Sequence, residues 1–300
     1  MIRIPLNKFD SRGFALVAVL WLLVLISALA VTVVSGGRAE LKLVSNVVAA
    51  AEARHLADAG VHTAAQELIE SADRQRRCID GRTYSILTLD GVRVDISVRD
   101  EAGKIDLNQA SRPLLEGLFT AASVNAAQAS SLASAVLDWR DGDHIARPNG
   151  AEDGHYRLAG RDYEAKDAPF ESVAELLLVL GMPRHLYEHI RDEVTVHSRI
   201  STIDPKAASA LALASVPGFD IDLTRDYVEL RNRLTDCRGL PPPLPLPSAQ
   251  PFLGPSPGIS FGVVAKVATG RARFQREAVI GLTFRRDEPF RILGWSVRGR

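Results

Sequence analysis

Residues 14–34 read FALVAVLWLLVLISALAVTVV, twenty-one positions without a charge, with polar side chains only at Ser27 and Thr32. At 1.5 Å of rise per residue this run spans a bilayer as a helix. Its helical texture continues: from residue 38 to about residue 77, Leu41, Val44, Val47, Val48, Ala51, Leu56, Ala59, Ala65, Leu68 and Ile69 recur at helical spacing among charges. A secretory signal has a shorter apolar core ending in a small-residue cleavage site, so the run reads as a retained anchor. Ahead of it lie Arg3, Lys8 and Arg12 against Asp10. A positive short flank stays cytoplasmic, which puts everything after Gly37 outside the inner membrane. Hydropathy alone is satisfied by an uncleaved signal anchor.

Beyond the helix, YSILTL (84–89) and VRVDISV (92–98) flank Asp90-Gly91, an alternating hairpin pattern. Residues 106–193 turn helical, with LNQASRPLLEGLF, AAQASSLASAVLDWR and FESVAELLLVLGM as candidate helices behind cap-like Ser or Asn residues. Strand character returns over 194–200, and helical pieces are expected over 205–213 and 220–232. Residues 241–258 hold eight of the sixteen prolines and read as an extended loop or linker. ISFGVVAKVA (259–268), AVIGLTF (278–284) and FRILGWSV (290–297) read as three closing strands. The order implies an α+β chain whose sheet is interrupted by a helical insertion. The expected divisions are a leader at 1–13, a transmembrane segment at 14–34, and the helix continuation with the first hairpin at 35–105. An inserted all-α region follows at 106–235, then the proline-rich loop at 236–258 and the closing strands at 259–300.

Composition removes several function classes. The 300 residues carry 36 Lys+Arg against 36 Asp+Glu, so no global field recruits a polyanion, and 46% hydrophobic content excludes wholesale disorder. Two cysteines, Cys78 and Cys237, are too few for a disulfide scaffold and too far apart for a zinc site; one bridge or two buried thiols remain open, and an oxidising compartment favours the bridge.

The densest chemical signal is DWRDGD (138–143) followed by GAEDGHY (150–156): between Asp138 and Glu175 stand ten acidic residues against five basic ones. Carboxylates separated by glycines suit calcium, which takes six to eight oxygens in a flexible loop. The interval from Asp141 to Glu152 matches an EF-hand loop, but Ile145 stands where a third oxygen ligand belongs and Ala146 where the turn needs glycine, so an EF-hand is rejected. Calcium in a non-EF loop and an exposed acidic loop both remain open. His144 and His155 invite a hydrolase reading with Asp143 or Glu152 as base, but no nucleophile or metal accompanies them, and the chain is read as a non-enzyme. His185 with His189, and His55 with His62, read as surface histidines.

Two sets of residues then carry a resemblance. Ser11-Arg12-Gly13 before Phe14-Ala15-Leu16-Val17-Ala18 resembles the leader junction of type IV pilins and type II secretion pseudopilins, where a prepilin peptidase cuts after the glycine and methylates the new terminus. That implies cleavage between Gly13 and Phe14 and methylation of Phe14. The family's fifth mature residue is normally Glu; Ala18 stands here, as suits a subunit at a filament tip with no neighbour above it. DEAGKIDLN (100–108), DWRDGD (138–143), GAE (150–152), Tyr163, APF (168–170) and SVAEL (172–176) resemble the K-type minor pseudopilins of type II secretion. The resemblance implies a pseudopilin fold with a long N-terminal transmembrane helix, an antiparallel sheet and a large inserted all-α domain. It also implies a tip complex with I-type and J-type minor pseudopilins, assembly on an inner-membrane platform, and bound calcium. Asp141, Asp143, Glu152 and Asp153 are the implied metal ligands, with Asp138 next and Asp167 as a further addition. A bacterial inner-membrane anchor with a periplasmic body is the implied location.

IDLNQASRPLLEGL (105–118) and IDPKAASALALASVPGF (203–219) also resemble helix-hairpin-helix units, and a membrane-anchored periplasmic DNA-binding protein is the competing class. Phe219-Asp220-Ile221-Asp222 would repel phosphate after Gly218, so the hairpins are read as packing units and no nucleic-acid partner is expected.

Overall fold

The computed structural model describes residues 12–70, 79–88, 91–233, 247–270, 272–283 and 285–298, with the side chains of 12–13, 31–41 and 247–248 left undescribed. Two compact units result: residues 1–53 with 268–273, and residues 54–267 with 274–300.

Helix α1 runs unbroken over Arg12–Glu70. Among the described residues no helix is long and apolar enough to cross a membrane; the 14–34 segment runs into residues 31–41, whose side chains lie outside that description. Residues 1–11 of the expected leader (1–13) and both cysteines, Cys78 and Cys237, also lie outside the described residues.

In the second unit, the end of α1 buries Ala57, Val61, Ala64, Ala65 and Leu68, a stripe at helical spacing. Small residues in that stripe allow close approach: a Cβ at Gly60 would come within 2.9 Å of Val94 Cγ1 and 3.2 Å of the Ala265 Cβ. The sheet beneath has five strands in the order β1-β2-β5-β6-β7. They are β1 (Asp80–Leu87), β2 (Arg93–Asp100), β5 (Ser260–Ala268), β6 (Arg273–Leu282) and β7 (Phe290–Val297). The β1–β2, β2–β5 and β6–β7 registers are antiparallel, and the expected hairpin closes with Gly91 at φ +74°. Alternation dictates the buried face: Val94, Ile96 and Val98 on β2 and Phe261, Val263, Ala265 and Val267 on β5 are buried. Arg276, only 2% exposed, crosses this interface to Asp58 at 2.6 Å and stacks its guanidinium 4.7 Å from the Trp295 ring centroid.

Between β2 and its neighbour β5 the chain leaves the sheet and builds the inserted lobe. It contains α2 (Arg112–Ala121), α3 (Ala126–Arg140), α4 (Asp153–Leu158), α5 (Arg184–Ile190), α6 (Ala210–Ala214) and α7 (Ile221–Arg233). A small parallel pair, β3 (Ile105–Asp106) with β4 (Val194–Thr195), ties the segment ahead of α2 to the one between α5 and α6. The two hairpin-like units pack on each other: a Cβ at Gly117 on α2 would lie 2.8 Å from the Ser215 carbonyl carbon after α6.

Three expectations need correction. FESVAELLLVLGM forms only a 3-10 turn over Val173–Leu177. The Leu180 N–H donates to Tyr156 Oη at 3.0 Å and the Leu178 carbonyl accepts from Tyr163 Oη at 3.1 Å, so aromatic hydroxyls take backbone groups that a longer helix would use. Strand character expected over 194–200 shrinks to β4. The described part of the proline-rich stretch is no free linker: Pro247–Phe252 is a 3-10 turn, Leu253 bridges Ile203, and the Ser256 N–H and hydroxyl donate to Asp204 (3.0 Å) and Asp100 (2.6 Å).

Candidate metal centre

The acidic loop joins α3 to α4, and its ends are fixed by an aromatic cluster. Trp139, at the end of α3, stands 5.8 Å from Tyr156 of α4, 6.4 Å from Tyr163 and 6.3 Å from Phe170 between ring centroids. Such pairs contribute about 0.5–1.5 kcal/mol each beyond burial. Asn108 locks Phe170 with two reciprocal bonds, donating to the Phe170 carbonyl at 2.9 Å and accepting from its N–H at 2.7 Å. Asp106 accepts from the amides of Asn108 and Arg199 and from the Ser198 hydroxyl. The Asp106-Leu107-Asn108 motif is therefore structural, a clamp that brings distant segments to the loop.

Within the loop the carboxylates divide by role. Asp138, fully buried, accepts from the Arg147 guanidinium at 2.8 Å, the Arg147 N–H at 3.2 Å and the Ala151 N–H at 2.8 Å. Both its oxygens are engaged by the chain itself, and it stands outside the groups described next; its work is to fold the loop. Gly150 is shaped to this arrangement, because a Cβ there would overlap the Asp138 carboxylate, 2.9 Å from its Cγ. His155 Nδ1 accepts the Glu152 N–H at 3.2 Å.

The remaining acidic residues converge. Asp141, Asp143 and Glu152 bring one carboxylate oxygen each within 4.8 Å of the others, and so do Glu152, Asp153 and Asp167 with His144. Glu152 belongs to both groups. It is 4% exposed, and neither of its oxygens has a hydrogen-bond partner; Oδ1 of Asp141, Asp153 and Asp167 are buried and equally unpartnered. Five orphaned carboxylate oxygens in one place are costly unless a cation satisfies them. Burial, reinforced by Asp138, Asp167, Asp141 and Asp153, pushes the Glu152 carboxyl up to about 7. Asp167 reaches the cluster from the left-handed region, φ +52°, which Asp and Asn tolerate better than most residues. The donor set fits a hard divalent cation such as calcium, held by Asp141, Asp143 and Glu152 with Asp153 and Asp167 adjoining.

Sequence reading named every carboxylate of this constellation but set aside His144, whose Nδ1 lies 3.2 Å from Asp167 and 3.9 Å from Asp153. Its signal was its place inside the carboxylate run; its partner Asp167 is brought back only by the fold. The N-terminus of α7, by contrast, is already served, since Asp220 accepts the Leu223 N–H at 2.7 Å where a phosphate would need that amide.

Comparison with known proteins follows these lines. Residues 95–199 match the family described as type II secretion system (T2SS), protein K. Over 165 residues the chain is 29% identical to the type II secretion system protein K of Klebsiella pneumoniae, a span of 52% of this chain and 48% of that protein. The chain thus spans about half the length of the curated relative it matches. Its fold resembles that of a chain in the crystal structure of the GspK-GspI-GspJ complex from the enterotoxigenic Escherichia coli type 2 secretion system. The TM-score is 0.56 at 15% identity, over 88% of this chain and 99% of that one.

Proposed function

We propose that this chain, whose residues 95–199 match the type II secretion system protein K family, is a minor pseudopilin that caps the pseudopilus and initiates its assembly with I-type and J-type subunits. The observation that carries this reading is the architecture itself: one long helix, an antiparallel sheet, and a lobe inserted between the adjacent strands β2 and β5. The role in this reading is mechanical. Residues 14–34 hold the chain in the inner membrane, with the sheet and lobe periplasmic. A prepilin peptidase removes residues 1–13 and methylates Phe14. An assembly platform then adds subunits beneath this one, and the absence of a carboxylate at Ala18 suits a subunit with nothing above it.

Calcium has a structural part in this reading. Bound by Asp141, Asp143 and Glu152, it would neutralise the clustered charge and hold the loop against the aromatic cluster. The chain's own residues do the rest: Asp138 and Arg147 shape the loop, Gly150 makes room, and Asp167 closes the far side.

The experiment is mass spectrometry of the amino terminus after coexpression with prepilin peptidase. A chain beginning at N-methylated Phe14, and an unprocessed chain when Gly13 is substituted, is the expected result. A chain still beginning at Met1 beside active peptidase would overturn the reading.

A further inference from the structure

The chain crosses between sheet and lobe twice, outward directly after β2 and back just ahead of β5, and both crossings meet at one neck. Asp100 closes β2 and Asp204 heads the second hairpin-like unit; they are 3% and 7% exposed. Ser256, on the returning strap, joins them. Its hydroxyl donates to Asp100 Oδ2 at 2.6 Å and its N–H to Asp204 Oδ2 at 3.0 Å. The Asp204 N–H donates in turn to the Ala102 carbonyl at 2.8 Å, and the Ile203 N–H and carbonyl bond Phe252 and Gly254 at 2.9 and 3.1 Å. Packing at the neck is close: a Cβ at Gly103 would come within 2.5 Å of the Ala207 carbonyl carbon. Three segments distant in sequence are thus held at one pair of carboxylates.

Neither carboxylate forms an ion pair among the described residues, and Lys104, just beyond Asp100, is taken by Glu101 at 2.6 Å. The charged groups that face Asp100 are Asp204 from the lobe and Glu101 from the turn after β2, and both oppose its ionisation. From the other packed elements, β5 sets Phe261 beside it, the residue ahead of β1 brings the Ile79 carbonyl to its N–H, and the strap brings the Ser256 hydroxyl. Two buried carboxylates bonded to one serine resist ionising together. Burial pushes Asp100 up to about 6, with Asp204 and Glu101 adding to it and the Ser256 and Ala102 bonds opposing it.

We propose that this neck is a proton-operated latch: one proton held between Asp100 and Ser256 fastens the strap and sets the lobe firmly on the sheet, and loss of that proton loosens the strap while lobe and sheet each stay folded. The closed latch holds the proton more tightly than the open one, in which Asp100 is hydrated. Closure therefore weakens as pH rises from about 4 to about 6, and the loss is complete above that window. The inference rests neither on the pseudopilin reading nor on the cation site.

Amide hydrogen exchange of the full-length, metal-free chain in detergent, read by mass spectrometry at pH 4.5 and 7.5 and corrected for the intrinsic pH dependence of exchange, tests it. Peptides covering 249–258 should lose at least about tenfold in protection at pH 7.5, with a smaller change in α2. Asp100→Asn, which keeps the shape and the donor of the protonated acid, should hold the strap at pH 7.5 as firmly as the wild type does at pH 4.5, and Ser256→Ala should leave it open at both. A wild-type strap equally protected at the two pH values, a loss shared equally by α2, or an unchanged pH response in Asp100→Asn would each overturn the latch.

Discussion

Replacing Glu152 with Gln should have opposite effects with and without calcium. In the metal-free protein the ionised carboxylate is buried among Asp138, Asp141, Asp153 and Asp167, which raises its pKa from 4.5 to about 7. The folded state therefore holds the Glu152 proton more tightly than the unfolded state. The native protein loses stability as pH rises from about 4.5 to about 7, and the loss is complete above that window. At 1.36 kcal/mol per pKa unit it amounts to about 3 kcal/mol by pH 7.5. Glutamine keeps the shape without the charge, so Glu152→Gln in EGTA should be more stable than wild type at pH 7.5 and nearly equal to it at pH 4.5. Saturating calcium should reverse the order, because the cation stabilises the wild-type native state by mass action and the variant has lost a shared ligand. Urea unfolding at the two pH values, with EGTA and with calcium, reads all four quantities. Parallel pH profiles for wild type and variant in EGTA, or a calcium increment that survives the substitution unchanged, would refute the reasoning.

Other substitutions probe the supports of the site. Gly150→Ala should destabilise by about 3 kcal/mol, because the new methyl displaces the buried Asp138 carboxylate from its three donors, whereas Gly154→Ala meets nothing within 4 Å on α4 and should stabilise by up to about 1 kcal/mol; thermal melts of the pair decide. Gly117→Ala should destabilise the lobe through its clash with the Ser215 backbone, seen as faster amide exchange in α2 and α6. Asp100, pushed up to about 6 chiefly by burial, likewise makes the fold lose stability as pH rises from about 4 to 6; Asp100→Asn should flatten that part of the unfolding profile.

Local sequence carried most of the architecture because period and capping spoke together. AAQASSLASAVLDWR became α3 with the expected bounds, its Asn125 cap accepting the Gln128 N–H, and the three closing strands appeared with ends shifted by a few residues. The reading failed where long-range polar contacts override composition. The apolar run after Val173 has the residues of a helix, yet hydroxyls of Tyr156 and Tyr163, from elsewhere in the lobe, hold its backbone. Prolines 251, 255 and 257 suggested a linker, but Asp100 and Asp204 fasten Ser256 between them. At the candidate site the carboxylates were legible as a cluster, while their division was not. Asp138 has both oxygens engaged by Arg147 and Ala151, whereas Asp141 meets Arg147 with Oδ2 and keeps Oδ1 without a partner, a distinction that exists only after folding.

Partnership tests the central claim most directly. Native mass spectrometry of the chain coexpressed and purified with I-type and J-type minor pseudopilins from the same secretion system should show one assembly containing all three. A chain that stays alone under those conditions, while the other two associate with each other, would contradict its place as a minor pseudopilin of that complex.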